Sequence, residues 1–344
     1  MVTTIFQLLL LIAPIAISAD INMDIFDLIF FRTSVIILFM ASLFDNQRRQ
    51  IPDYVKKIIM GLLGLCLFNM FNHSFGSIVL ANTMNTFLAV LAFLIIYIYY
   101  DETKNIKKFI LGAALINLIF FIIQKIGYDP IFDKSNYGMI EGGFFGNAAR
   151  LANYLTLIIP FIPYILIPLV VIFGLFVKQY VVFIPVFIIL FVKFKLLKIR
   201  IIIIACILLL SFLLRNHFIE SFRVRFQDAW FPVLQAFFDR PLIGCGLGIN
   251  PVPGSNLGVI LNSYIQFIIG VGIYGVIWFG YVFKMIYKEI TLKRLTIPFI
   301  TLILLMLVEY PIEMMRLWFL IIAIFVMQLL KSNREEFNLK NVRI

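Results

Sequence analysis

Apolar runs recur along the whole chain, separated by short polar and charged clusters. They fall at about 4 to 19, 26 to 44, 58 to 72, 77 to 100, 109 to 126, 149 to 162, 164 to 177, 180 to 192, 201 to 214, 257 to 283, 296 to 309 and 317 to 330. A mostly apolar helix of roughly 20 residues crosses a bilayer, so the pattern predicts about twelve transmembrane helices. Several runs are shorter than that. The stretch from 149 to 192 is the least regular, with room for one span plus a re-entrant piece. Pro160, Pro163 and Pro168 predict a turn there, because proline breaks the helical hydrogen-bond ladder. The first run ends in Ile17-Ser18-Ala19 before Asp20, the outline of a cleaved signal, but no Lys or Arg precedes it. A basic start belongs to that signature, so a retained first helix is expected.

The charged clusters test the alternation. Cytoplasmic loops carry the excess of Lys and Arg. Taking every second connection gives Arg48, Arg49, Lys56 and Lys57; Lys104, Lys107 and Lys108; Lys193, Lys195, Lys198 and Arg200; Lys284, Lys288, Lys293 and Arg294; and Lys331, Arg334, Lys340 and Arg343. Most of the 29 basic residues therefore fall on one side. That side is expected to be cytoplasmic, with both termini inside.

Composition agrees with the pattern. The 344 residues are 62% hydrophobic and 14% charged, with a mean hydropathy of +1.03, whereas soluble domains carry roughly 25% charge. The expected fold is an all-α polytopic membrane protein forming one membrane-embedded domain over 1–344. The net charge of +11 does not imply nucleic acid, since the basic residues never build a continuous face. Cys66 and Cys206 lie in apolar runs and Cys245 in a polar loop, so neither a disulfide frame nor a metal site is expected.

Two longer polar segments remain for the outer face, about 127–148 and 215–256, and loops of that length usually carry function. The second runs Arg215-Asn-His-Phe-Ile-Glu-Ser-Phe-Arg-Val-Arg-Phe-Gln-Asp-Ala-Trp230, then an apolar stretch, then Asp239-Arg-Pro-Leu-Ile-Gly-Cys-Gly-Leu-Gly248. Arg215, Arg223, Arg225 and Arg240 gather where the charge rule disfavours them. Guanidinium groups hold phosphate oxygens with a planar fork of donors, so the cluster suits a lipid-linked phosphate or pyrophosphate. The plainer alternative pairs these arginines with Glu220, Asp228 and Asp239 or with lipid headgroups. Gly244, Gly246 and Gly248 allow a tight loop and close approach of another group; no strand–helix unit surrounds them, so they do not mark a nucleotide site. Asn262 and Tyr264 follow, and then Gly270, Gly272 and Gly275, whose small size favours close helix packing.

The first outer segment ends in Glu141-Gly-Gly-Phe-Phe-Gly-Asn147-Ala-Ala-Arg150. Arg150 is either a ligand-binding cation or an interfacial anchor that snorkels to the headgroups. Glu141 is either a proton acceptor or a solvated charge. Arg32 lies inside the second run, where an unpaired charge costs at least about 2.5 kcal/mol, and is expected to face a polar interior or the outer interface. Glu309, Glu313 and Arg316 suit an internal ion pair, and His73 and His217 are isolated and read as structural.

The order of elements in the second half resembles the O-antigen polymerase and O-antigen ligase superfamily. The elements are an Arg-rich stretch with a tryptophan (Arg223 to Trp230), a Pro-Leu-x-Gly-x-Gly-x-Gly element (Pro241 to Gly248), a segment ending in Asn-x-Tyr (Asn262 to Tyr264) and a Gly-Ile-x-Gly helix (Gly272 to Gly275). Gly143-Phe-Phe-Gly-Asn147 is similar to that family's Gly-Asn-Pro-Asn element. The resemblance covers roughly 140 to 285. Where many relatives, ligases especially, carry a histidine, this chain has Leu261, so that base does not carry over.

The resemblance implies glycosyl transfer on the periplasmic face of a bacterial inner membrane. An undecaprenyl-pyrophosphate-linked oligosaccharide would be polymerised into O-antigen or a related surface polysaccharide, without cofactor or metal. Arg223, Arg225 and Glu141 are the expected catalytic residues. Arg150, Arg240, Asn147, Asn262, Tyr264, Gly244 and Gly246 are the expected substrate contacts. The partners it implies are the lipid-linked substrate, membrane lipid and a chain-length regulator protein. A ligase acting on lipid A core and a lipid-linked oligosaccharide flippase or other transporter are the alternatives.

Overall fold

A computed structural model of the chain describes residues 1–15, 23–46, 49–73, 76–128, 143–145, 148–176, 179–193, 219, 223, 226–227, 230–247, 262–289, 295–308 and 317–342. Every regular element among them is helical, and they contain no strand. The α-helices are α1 Val2–Ile12, α2 Met23–Ser42, α3 Asp53–Asn72, α4 Ser77–Tyr99, α5 Lys107–Lys125, α6 Ala148–Ile158, α7 Ile167–Phe176, α8 Phe183–Lys193, α9 Phe231–Asp239, α10 Ser263–Val271, α11 Ile273–Glu289, α12 Ile297–Val308 and α13 Trp318–Val342. Helices α3, α4 and α5 are long and apolar enough to cross a membrane; the 23 residues of α4 measure ~35 Å. Large apolar side chains stand exposed along the bundle, including Ile36 and Met40 of α2 and Met60 and Phe71 of α3. An aqueous surface rarely carries that many.

Side-chain contacts fix which ends lie together. The Met1 amino group donates to Asp45 at 2.9 Å, and the amide of Asp101 donates to Thr3 Oγ1 at 2.8 Å. Arg49 pairs with Glu102 at 2.8 Å and donates to the Tyr97 carbonyl at 3.0 Å. The start of α1, the end of α2 and the end of α4 therefore share one end of the bundle. Lys104, Lys107 and Lys108 follow α4 in sequence, and Lys56 and Lys57 open α3. We call this the basic end. Trp278 donates to the Ile58 carbonyl at 3.4 Å, so α11 runs antiparallel to α3 and carries Lys284 and Lys288 toward the same end.

Helix α6 occupies the centre. Leu151, Ala152, Tyr154, Leu155, Leu157 and Ile158 are each 1% exposed or less, and the helix packs against α5, α8 and α12. The polar Asn153 and Thr156 are buried with them, and the Thr156 hydroxyl donates to the Ala152 carbonyl at 2.7 Å. The prolines do what the sequence predicts: α6 passes into a 3₁₀ turn at Ile159–Phe161 containing Pro160, and Ile162, ahead of Pro163, is extended at φ −80°, ψ 152°. A residue before proline is driven out of the helical region by its ring.

One expectation is corrected. The apolar run at 257 to 283 was expected to form a single span, but among its described residues the helix is divided at Gly272, whose φ of 75° and ψ of −152° end α10. The two parts fold back as a hairpin: the Phe267 and Phe279 rings lie 5.2 Å apart, where a continuous helix would hold them ~18 Å apart. Hydropathy is blind to this break, because both arms are as apolar as one helix would be. The span expected at 201 to 214 lies outside the described residues.

Candidate functional site

The hairpin tip is the receptor for the glycine-rich loop. Helix α9 ends at Asp239, and Pro241 cannot continue it. The chain turns through Pro241–Ile243, and the Gly244 amide donates back to the Arg240 carbonyl at 2.9 Å. Residues 245 and 246 then lie along the end of α10: the Cys245 amide donates to Ile269 at 2.8 Å and the Gly246 amide to Gly270 at 3.1 Å. The Ile273 amide, first in α11, donates to the Pro241 carbonyl at 2.7 Å. Carbonyls at a helix end need such partners, so the loop caps α10 while α11 is held by the loop's own turn.

This approach requires glycine at two positions. A Cβ on Gly244 would meet the Ile269 carbonyl oxygen at 2.3 Å, and one on Gly272 the Leu242 carbonyl oxygen at 2.5 Å, and both residues have positive φ. Helix packing was expected at Gly270, Gly272 and Gly275; it is found at Gly275, against Ile268 of α10, whereas Gly270 and Gly272 receive the glycine-rich loop instead.

Asn69 of α3, fully buried, locks the arrangement. Its Nδ2 donates to the Gly270 carbonyl at 2.7 Å and to Ile243 at 3.3 Å, while its Oδ1 accepts from the Leu247 amide at 2.8 Å. His73 Nε2 lies 3.4 Å from the Ile243 carbonyl, consistent with the structural role read for it. Asn82 of α4 reaches toward the Leu247 carbonyl at 3.5 Å. Val233, Cys245 and Ile269 form a small core under the loop with Trp230, Phe237 and Ile265. Burial pushes the Cys245 thiol up, against the pull of Arg240, so it is a neutral packing group. Cys66 and Cys245 are both buried and form no disulfide among the described residues.

The loop sits where α3 ends and α4 begins, opposite the basic end. Arg240 is exposed there and forms no ion pair among the described residues. Arg223 is also exposed. Arg150 stands half-buried in the first turn of α6, beside the short 143–145 turn. That turn is pinned by Phe144 stacking on Phe120 at 4.3 Å and by Phe145 against Tyr154 at 5.1 Å. Phe120 lies near the end of α5, so Arg150 belongs to the same end of the bundle as Arg240. Helices α6 and α10 both pack on α12. Arg225, Glu141 and Asn147 lie outside the described residues.

Asn262 and Tyr264 hold α10 in place. Asn262 Oδ1 accepts from the Tyr264 and Ile265 amides at 3.0 Å as an N-cap. Its Nδ2 donates to the Leu307 carbonyl at 2.7 Å, and the Tyr264 hydroxyl donates to the Ile303 carbonyl at 3.3 Å. These bonds tie the start of a nine-residue half-helix to α12. Sequence reasoning did not single out Asn69, Asn82 and Asn85. The signal was there as amide side chains inside apolar runs, which membrane helices keep for interhelical bonds.

No family model matches this chain, and no curated protein or solved structure matches it.

Proposed function

We propose that this chain is a polytopic inner-membrane glycosyltransferase that polymerises polyprenyl-pyrophosphate-linked repeat units on the outer face. In this reading about twelve spans place the basic end in the cytoplasm, both termini included. The observation that carries it is Arg240, an exposed guanidinium on a rigidly docked glycine loop at the end of the bundle opposite the lysine clusters. An exposed arginine with no ion pair among the described residues suits an anionic lipid head, and Arg150 belongs to the same end.

Pyrophosphate is a good leaving group. The protein's main tasks are therefore to bring two bulky lipid-linked substrates together and to stabilise charge on the departing phosphate. Arg240, Arg223 and Arg225 would hold the donor pyrophosphate with Arg150, and Glu141 would serve as a proton acceptor. Asn262 and Tyr264 would act on sugar through the position of α10, since their polar groups already serve α12. Arg240→Ala and Arg150→Ala, expressed in a deletion strain, are expected to leave single-repeat product where wild type restores long chains. Normal chain length in both removes the proposal.

The hairpin at Gly272 favours a second reading. Broken helices with a half-helix terminus at depth are the building blocks of transporters, so a lipid-linked oligosaccharide transporter is the competing function. Purified protein in vesicles without any gradient separates them: a polymerase yields a ladder of products, whereas a transporter yields none. The ligase reading gains no observation and keeps the difficulty of Leu261.

A further inference from the structure

A second cation, Arg32, lies on α2 and is held by α4. Arg32 sits nine residues into α2, ~13 Å from the start of the helix. Its Nε and Nη2 both donate to Asn85 Oδ1 of α4, at 3.1 and 3.0 Å. A guanidinium carries five N–H donors. Both hydrogens of Nη1 and the second on Nη2 therefore have no protein acceptor among the described residues, and no carboxylate there neutralises the charge. Asn85 is 5% exposed and held within the bundle, so the fork is fixed in direction.

The surroundings are open to lipid rather than to water. Ile29 and Ile36, about one turn to either side of Arg32 on α2, are 54% and 59% exposed, as expected of side chains facing acyl chains. Residues Phe31, Val35 and Leu38 are buried against the bundle. Arg32 stands at the boundary of these two faces, in the groove between α2 and α4. Helical side chains lean toward the N-terminus of their helix, which for α2 is the end bearing the glycine loop. A charge inside an apolar span with no carboxylate partner among the described residues is costly and marks a functional site. One turn along α4 from Asn85, Asn82 reaches the Leu247 carbonyl of that loop, so the groove leads to the face carrying Arg240.

We propose that the α2/α4 groove is a lipid-entry site in which Arg32, oriented by Asn85, binds the pyrophosphate head of the polyprenyl carrier while its chain lies along Ile29 and Ile36. The proposal rests on the glycosyltransferase reading and adds to it the route by which a lipid-linked substrate reaches the loop. Arg32 acts as a binding residue and Asn85 as its positioning residue.

The test is equilibrium binding of radiolabelled undecaprenyl pyrophosphate to the purified full-length protein in detergent. Arg32→Ala is expected to weaken binding roughly tenfold to a hundredfold, the range for losing hydrogen bonds to a charged group, with Arg32→Lys in between. Asn85→Asp is the decisive variant. It keeps shape and packing but neutralises the guanidinium with a carboxylate, so it should keep or raise thermal stability while weakening binding at least tenfold. Wild-type protein that binds no prenyl pyrophosphate would overturn the glycosyltransferase reading itself. Wild type that binds while Arg32→Ala and Asn85→Asp bind equally well would overturn only the groove. Competition by phosphatidylglycerol at the same concentration as unlabelled carrier would mean that Arg32 holds bulk headgroups, which also overturns it. Should Arg32→Ala fail to elute as a single species, Asn85→Asp decides alone.

Discussion

Replacing Asn69 by leucine isolates the bond that holds the glycine loop on the hairpin. The two side chains have nearly the same volume, so packing is largely preserved while three hydrogen bonds disappear. Their losses are unequal. The Gly270 carbonyl keeps the Gly246 amide as donor at 3.1 Å, and the Ile243 carbonyl keeps His73 Nε2 nearby. The Leu247 amide alone is stranded, since its acceptor was Asn69 Oδ1 at 2.8 Å. An orphaned N–H costs about 1–3 kcal/mol when fully buried; the Leu247 amide is part-buried and falls toward the lower end, and with the two weakened carbonyls adding a fraction each, Asn69→Leu should cost about 2–4 kcal/mol at most. That cost falls on undocking of the loop. Cys245 is buried under it, and its thiol is the reporter. In a background with Cys66 and Cys206 replaced by alanine, maleimide labelling of Cys245 through the open state should accelerate roughly 30- to 1,000-fold, at about 1.4 kcal/mol per factor of ten. Unchanged labelling would mean that Asn69 does not secure the loop, and the account of the site's rigidity would fall with it.

Three further outcomes follow from the same contacts. Gly244→Ala drives a Cβ into backbone at positive φ and should destabilise by about 2–5 kcal/mol, whereas Gly280→Ala on α11, with open space around it, should be neutral or stabilising by up to about 1 kcal/mol; paired thermal melts in detergent give both values. Tyr154→Phe removes a fully buried hydroxyl that has no partner among the described residues, and relieving its desolvation should raise the melting temperature by an amount worth about 1 kcal/mol, so a lower value would reveal a hidden acceptor. At the basic end, hydrogen bonds from Thr103, then the fields of Lys104 and Arg49, hold the Asp101 carboxyl below its usual value. A depressed folded-state pKa contributes stability above the unfolded value near about 4 and loses it as pH falls through the folded one. Thr103→Val, which deletes the 2.7 Å hydroxyl donor, should therefore lower the melting temperature at neutral pH and shrink its loss on acidification below about pH 4, and superimposable pH profiles would refute the assignment.

How much of this was legible in the sequence depends on the range of the interaction. Helix positions were legible because apolar runs and helix ends share the same local chemistry: the run at 77 to 100 became α4 over Ser77–Tyr99. The turn after α6 was legible because proline acts on its own peptide and the one before it. The hairpin was not, since its cause lies elsewhere in the chain. Glycine at 270, 272 and 275 is compatible with a helix that packs tightly and with a helix that ends. The choice is made by a loop about 25 residues earlier and by Asn69, whose bond to Leu247 spans 178 positions. Hydropathy averages over exactly those differences. The arginines illustrate the same limit: their side of the membrane could be expected from charge counting, but that Arg32 would rest on a neutral amide in α4 could not.

The break at Gly272 also bears on which function the molecule performs. In a transporter the half-helices must exchange partners as access alternates, so the contacts at their junction should be few and replaceable. Here the junction is tied to α3 through Asn69 and to the turn after α9 through Pro241, and the far end of α10 is tied to α12 through Asn262 and Tyr264. Moving α10 would expose several backbone groups at once in an apolar setting, each at a cost of several kcal/mol. A rigid tip suits a catalyst that must hold Arg240 at a constant distance from a bound pyrophosphate, because positioning is most of what such a reaction requires. Cross-linking offers the discriminating measurement: a disulfide between cysteines placed at Gly275 and Ile268, where a Cβ on Gly275 would stand 3.3 Å from the Ile268 Cα, should leave a polymerase active and arrest a transporter that works by separating α10 from α11.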